Sequence, residues 1–166
     1  VESGGRDGVL QIVKVTLPER LYDEPERIHA FVRDVLDRVQ SLPGVTSASL
    51  INSVPFGMMF IQGDFYIEGQ PKPTLFAGTP KIDAGYFKTM GIPLLAGREF
   101  TAGDTAAAPK AAIVSERIVR AYFPGGPGEA LGRRVRLCDT CEWLSVVGVV
   151  ADIRQRRLDQ EVKPMI

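Results

Sequence analysis

The 166-residue chain holds one histidine, one tryptophan and two cysteines, and these scarcities exclude much chemistry. Any Ser-His-Asp triad, imidazole acid or base, or histidine-rich zinc site would have to use His29 alone. Its neighbours Ile28, Ala30 and Phe31 offer it no partner, so it reads as a surface or boundary residue. Net charge is also missing: Lys plus Arg and Asp plus Glu number 20 each. A nucleic-acid binder would show a basic excess gathered on one face. The densest basic stretch, Arg154-Gln155-Arg156-Arg157, is followed at once by Asp159 and Glu161 and reads as a self-compensating loop. There is no apolar run of about 18 residues that would cross a bilayer, and no h-region of a signal peptide at the start. A start at Val1 without Met and a stop at Ile166 read as a piece of something longer.

What is present is an ordinary globular composition, 45% hydrophobic and 24% charged, which argues against disorder. Seventeen glycines and twelve prolines predict many turns and short elements. The pattern predicts a strand over residues 9–17, where Val13, Val15 and Leu17 alternate with Lys14 and Thr16 before Pro18. A helix is predicted over residues 23–42 from the stripe Ile28, Phe31, Val32, Val35, Leu36, Val39 and Leu42, capped by Asp23 with Glu26 and stopped by Pro43-Gly44. A second strand over 45–52 would complete a β-α-β crossover with parallel neighbours. Further strands are predicted at 64–68, 75–82, 92–95, 111–114, 133–137 and 143–153. Two short helices lie between them, one from Asp83 as cap to Gly91, one from Ser115 as cap to Pro124. The fold class is α+β with mixed sheets.

Few groupings could carry chemistry. Gly125-Gly126-Pro127-Gly128 lacks the Gly-Lys-Ser/Thr ending of a phosphate loop and reads as a turn. Asp34 and Asp37 lie opposite the helix stripe, and Asp152 and Asp159 flank a basic loop, so both pairs read as solvated surface. No Ser sits in a Gly-x-Ser-x-Gly elbow. Cys138-Asp139-Thr140-Cys141 is too small for a structural zinc site and lies between strand candidates rather than at a helix start. In an oxidising compartment it would be a small disulfide pinning a hairpin turn; two free thiols are the next reading, with redox catalysis or metal last. The segment carrying Phe56, Met58, Met59 and Phe60 is apolar and flexible. It reads first as a loop over its own core, and otherwise as an adaptable surface for a partner or ligand.

A specific resemblance joins these parts. The run Ile82-Asp83-Ala84-Gly85-Tyr86-Phe87-Lys88-Thr89-Met90-Gly91-Ile92-Pro93-Leu94-Leu95-Ala96-Gly97-Arg98-Glu99-Phe100 resembles the signature of MacB-like periplasmic core domains of the FtsX-like permease superfamily, most of all acidobacterial-type paralogous permeases. So do Ala112-Ile113-Val114-Ser115-Glu116, Tyr122-Phe123-Pro124-Gly125, Leu131-Gly132-Arg133-Arg134-Val135 and the run from Val146 through Asp152 to Arg154, in order and spacing from Val9 to Pro164. The resemblance implies a periplasmic domain between two transmembrane helices of an ABC-type permease. Its expected architecture is a porter-like β-α-β subdomain (residues 1–56), an inserted mostly β, sabre-like subdomain (57–153) and the start of a return to the porter part (154–166). The implied role is non-catalytic and cofactor-free: passing ATP-driven transmembrane motion to periplasmic substrate or partner, with ligand sensing as the alternative. The implied partners are the permease's own transmembrane helices, a cytoplasmic ABC ATPase, a periplasmic adaptor or envelope protein, and a second subunit in a dimer.

Overall fold

The computed structural model describes residues 10–18, 24–52, 62–71, 76–105, 107–152 and 165–166. In chain order the elements are helix α1 (Pro25–Gln40), strands β1 (Gln62–Gly63), β2 (Tyr66–Ile67) and β3 (Ala77–Gly78), helix α2 (Tyr86–Met90), strands β4 (Leu94–Gly97) and β5 (Ala111–Ser115), helices α3 (Glu116–Tyr122) and α4 (Pro127–Ala130), and strands β6 (Arg134–Arg136) and β7 (Leu144–Val150). The fold is α+β, as its sequence pattern predicts.

Strand β7 is the axis. Along one edge it pairs in parallel with β5; along the other it meets β6 near Leu144 and Ser145, then β4 from Gly148 to Val150, both antiparallel. Strand β2 extends the sheet beyond β6, while β1 and β3 form a separate pair. Both faces of β7 are covered, which explains the unbroken apolar run. Val146 and Val149 pack with Phe65, Val114, Ile118 and Phe123; Val147 and Val150 pack with Tyr86, Phe87 and Ile113.

Gly97 and Gly148 stand opposite each other where β4 meets β7. A Cβ on Gly148 would collide with the Arg98 carbonyl oxygen, and one on Gly97 with that of Val147. The reason for glycine at both positions is close backbone approach.

Three expectations are corrected. The strand predicted over residues 9–17 does not join a sheet where it is described: residues 10–18 are irregular, with Ile12, Val13 and Val15 at 49%, 80% and 51% exposure. Residues 45–52 make only the isolated bridge Ile51–Ile82, flanked by Asp83 N–H donating to the Leu50 carbonyl and Asn52 N–H to that of Lys81. The β-α-β crossover is therefore not formed among the described residues. Alternation supplies a strand with a buried face but not a neighbour to bond to, and β preference is mostly a matter of that neighbour. The caps differ too. Glu24 holds the N-cap position of α1 without a side-chain bond, Pro25 begins the helix, and Asp23 lies outside the described residues. Gly85 rather than Asp83 precedes α2, and Ser115 precedes α3, but its hydroxyl accepts from the Met165 amide and does not cap the helix.

Candidate functional site

Two places gather unusual side chains: an open groove beside β5 and the loop of the β6–β7 hairpin. The groove has a volume of about 540 Å³, within the usual range for small-ligand sites. Phe87, Phe100, Ile113 and Val150 supply apolar lining; Asp83, Tyr86, Lys110 and Ser115 supply polar groups. Residues 79–83 and 110–113 also line it, with Met165 and Ile166. Met165 accepts from the Ser115 amide and donates to the Ser115 hydroxyl, while the Ile166 amide donates to the Gly78 carbonyl. These bonds tie the separate β3 to the end of β5.

Burial sets the electrostatics. It raises the Asp83 carboxyl pKa, an effect only partly offset by backbone hydrogen bonds at Leu50, Gly85 and Asp83 itself. One Asp83 carboxylate oxygen is buried without a hydrogen-bond partner among the described residues. The Tyr86 hydroxyl is pushed up to about 12 by burial alone. On the other side of the lining, Arg98 grips Asp104 with two bonds of 2.7 and 2.8 Å, and the Thr101 amide donates to the same carboxylate at 2.7 Å. Arg98 first, then Thr101, hold that carboxyl well below the ordinary range. This clamp fixes the loop that carries Phe100.

At the hairpin, Cys138 and Cys141 are joined in a disulfide with a Cα separation of 5.1 Å. The Cys141 amide donates to the Cys138 carbonyl, closing a four-residue turn. Beside it the Arg136 guanidinium lies 5.0 Å from the Tyr66 ring centre and 4.8 Å from that of Trp143. Arg136 also donates to Asp139, inside the cysteine turn, at 3.2 Å. Arg134 lies 6.0 Å from Trp143 and pairs with Glu68. The alternation Arg134-Val135-Arg136 produces this: Val135 is buried and both arginines stand on the opposite face, toward β2 and Trp143.

Of the two sequence candidates, the structure describes one. Cys138 and Cys141 are placed as above, whereas Phe56, Met58, Met59 and Phe60 lie outside the described residues. His29 is exposed on α1, as are Asp34 and Asp37. Asp152 is not a free surface acid: it accepts from the Arg117 amide at 2.8 Å and pairs with Arg120, fastening α3 to the end of β7. Gly125-Gly126 is a turn whose Gly125 amide donates to Glu129 at 2.6 Å. Sequence reasoning missed the Arg98–Asp104 clamp and the Tyr66–Arg136–Trp143 stack. For the stack, the Arg-x-Arg alternation beside the chain's only tryptophan was the available signal.

The fold is shared with solved permease domains. A domain of a permease protein from Porphyromonas gingivalis matches with a TM-score of 0.54 at 18% identity, over 80% of this chain and 55% of that one. The periplasmic region of MacB from Actinobacillus actinomycetemcomitans matches with 0.53 at 19% identity, over 80% and 53%. The extracellular domain of the noncanonic ABC-type transporter YknZ from Gram-positive bacteria matches with 0.51 at 18%, over 81% and 60%. The chain thus spans little more than half the length of these structures. No curated protein matches it in sequence. The family model described as the MacB-like periplasmic core domain, by contrast, matches residues 2–162. This chain therefore belongs to the MacB-like periplasmic core domain family.

Proposed function

We propose that this domain works as a non-catalytic lever, carrying ATP-driven movement of transmembrane helices to a substrate or partner outside the membrane. The supporting observation is the build of β7, which is hydrogen-bonded on both edges, packed on both faces and fastened through Asp152 to α3. Such a body moves as a unit instead of yielding under load. In this reading the helices of the same permease and a cytoplasmic ABC ATPase drive it, a second subunit stands beside it, and a periplasmic adaptor or envelope protein receives the motion. The test is to delete the domain from the full-length permease. ATP binding should persist while transport or partner activation is lost; unchanged output would refute the lever.

The groove favours a second reading, a ligand-sensing module. Its apolar lining with Asp83 and Tyr86 suits an amphiphilic ligand. Thermal-shift screening of the chain against lipids, peptides and macrolides should then give a stabilising compound whose effect disappears in Phe100→Ala. Absence of any shift would count against sensing.

A further inference from the structure

Cys138–Cys141 is poorly suited to act as a staple. A disulfide stabilises mainly by restricting the unfolded chain, and the restriction is least for the shortest loops. This one closes a four-residue turn that already has its own backbone hydrogen bond. Cys141 is exposed and Cys138 half-buried, so a thiolate can reach the bridge from solvent. The turn is not isolated from its surroundings. Asp139, held between the two cysteines, accepts from Arg136, and the same guanidinium lies between the rings of Tyr66 and Trp143. Among the described residues Arg136 Nε is buried without a partner, and the stack and Asp139 hold this cation in place.

We propose that Cys138–Cys141 is a thiol–disulfide exchange site for a protein dithiol, and that its redox state sets the Tyr66–Arg136–Trp143 stack. The reductant's thiolate attacks the exposed Cys141 sulfur, forming a mixed disulfide. Cys138 leaves as a thiolate and takes up a proton. The reductant's second thiol then attacks its own sulfur in that mixed disulfide and releases Cys141, which is protonated in turn. Two electrons and two protons pass to the domain, and the dithiol becomes a disulfide. With the bridge open, the turn no longer fixes Asp139 against Arg136, and Trp143 moves off the guanidinium. The inference is independent of whether the domain acts as lever or sensor.

Because Trp143 is the chain's only tryptophan, its emission reports the stack directly. The full chain would be titrated in reduced and oxidised dithiothreitol, and separately with thioredoxin as the protein dithiol. Alkylation mass would count free thiols and far-UV circular dichroism would follow the fold. The expected result is a reversible red shift of Trp143 emission that tracks the appearance of two thiols at constant circular dichroism. Cys138→Ser/Cys141→Ser should sit at the shifted position and ignore both reductants, and Arg136→Ala should show a much smaller response to reduction. Three results would each overturn the proposal: a bridge that resists both reductants, full reduction with emission unmoved, or loss of the fold on reduction.

Discussion

Residues 24–52 and residues 77–152 use similar apolar residues to different ends. In the first stretch the stripe of α1 is only partly covered: Ile28, Phe31, Val32, Val35 and Leu36 are half-buried, and Val39 and Leu42 are 36% and 55% exposed. In the second, Val114, Ile118, Val135 and Val149 are sealed between a sheet and its helices. An amphipathic pattern states which face wants burial, and only a partner surface delivers it. The two regions should therefore differ in local stability, with α1 opening before the β5–β7 sheet.

The largest effect should come from truncating phenylalanine in the sealed region. Phe123→Ala, at 1% exposure in the second stretch, should cost about 4 kcal/mol in urea unfolding, whereas the half-buried Phe31→Ala on α1 should cost about 1.5 kcal/mol. Equal costs would erase the distinction between the regions. Next comes Gly148→Ala, which forces a methyl against the Arg98 carbonyl and should lose about 3 kcal/mol; a neutral result would show that β4 slides away freely.

A smaller effect concerns pH. Asp104 has a folded-state pKa depressed by Arg98 and Thr101, so its contribution is present above the unfolded value of about 4 and fades as pH falls through the folded value. The melting temperature of Asp104→Asn should thus lie below that of the parent at neutral pH, and the gap should narrow below about pH 4. A gap independent of pH would assign the loss to packing. At the bottom of the scale, His29→Ala on the exposed side of α1 should change stability by less than about 0.5 kcal/mol. A larger loss would mean that α1 has cover on that face too.

Much of the fold was legible in the sequence where the signal is local. Strands β5, β6 and β7 fall where β-branched runs and their turn residues put them, and α2 ends at Gly91 in the left-handed conformation its sequence suggests. The predicted strands at 9–17 and 45–52 carry the same kind of local signal, but among the described residues the first finds no partner and the second only the bridge Ile51–Ile82, so the pattern over-predicted pairing. The site was less legible. The cysteine turn stood out by spacing, but Tyr66 reaches Arg136 from across the sheet and Asp83 gains its altered acidity from burial that no single stretch of sequence states.

By itself, the sequence determined which segments favour helix or strand, where turns interrupt them, and the family to which their order belongs; these follow from neighbours a few residues apart. Only the tertiary structure decided that Gly97 meets Gly148, that Arg136 sits between two rings and that Arg98 and Asp104 pin one side of a groove. Those outcomes depend on strand register and on how the chain's turns bring side chains together, and a residue's chemistry is set by what packs against it.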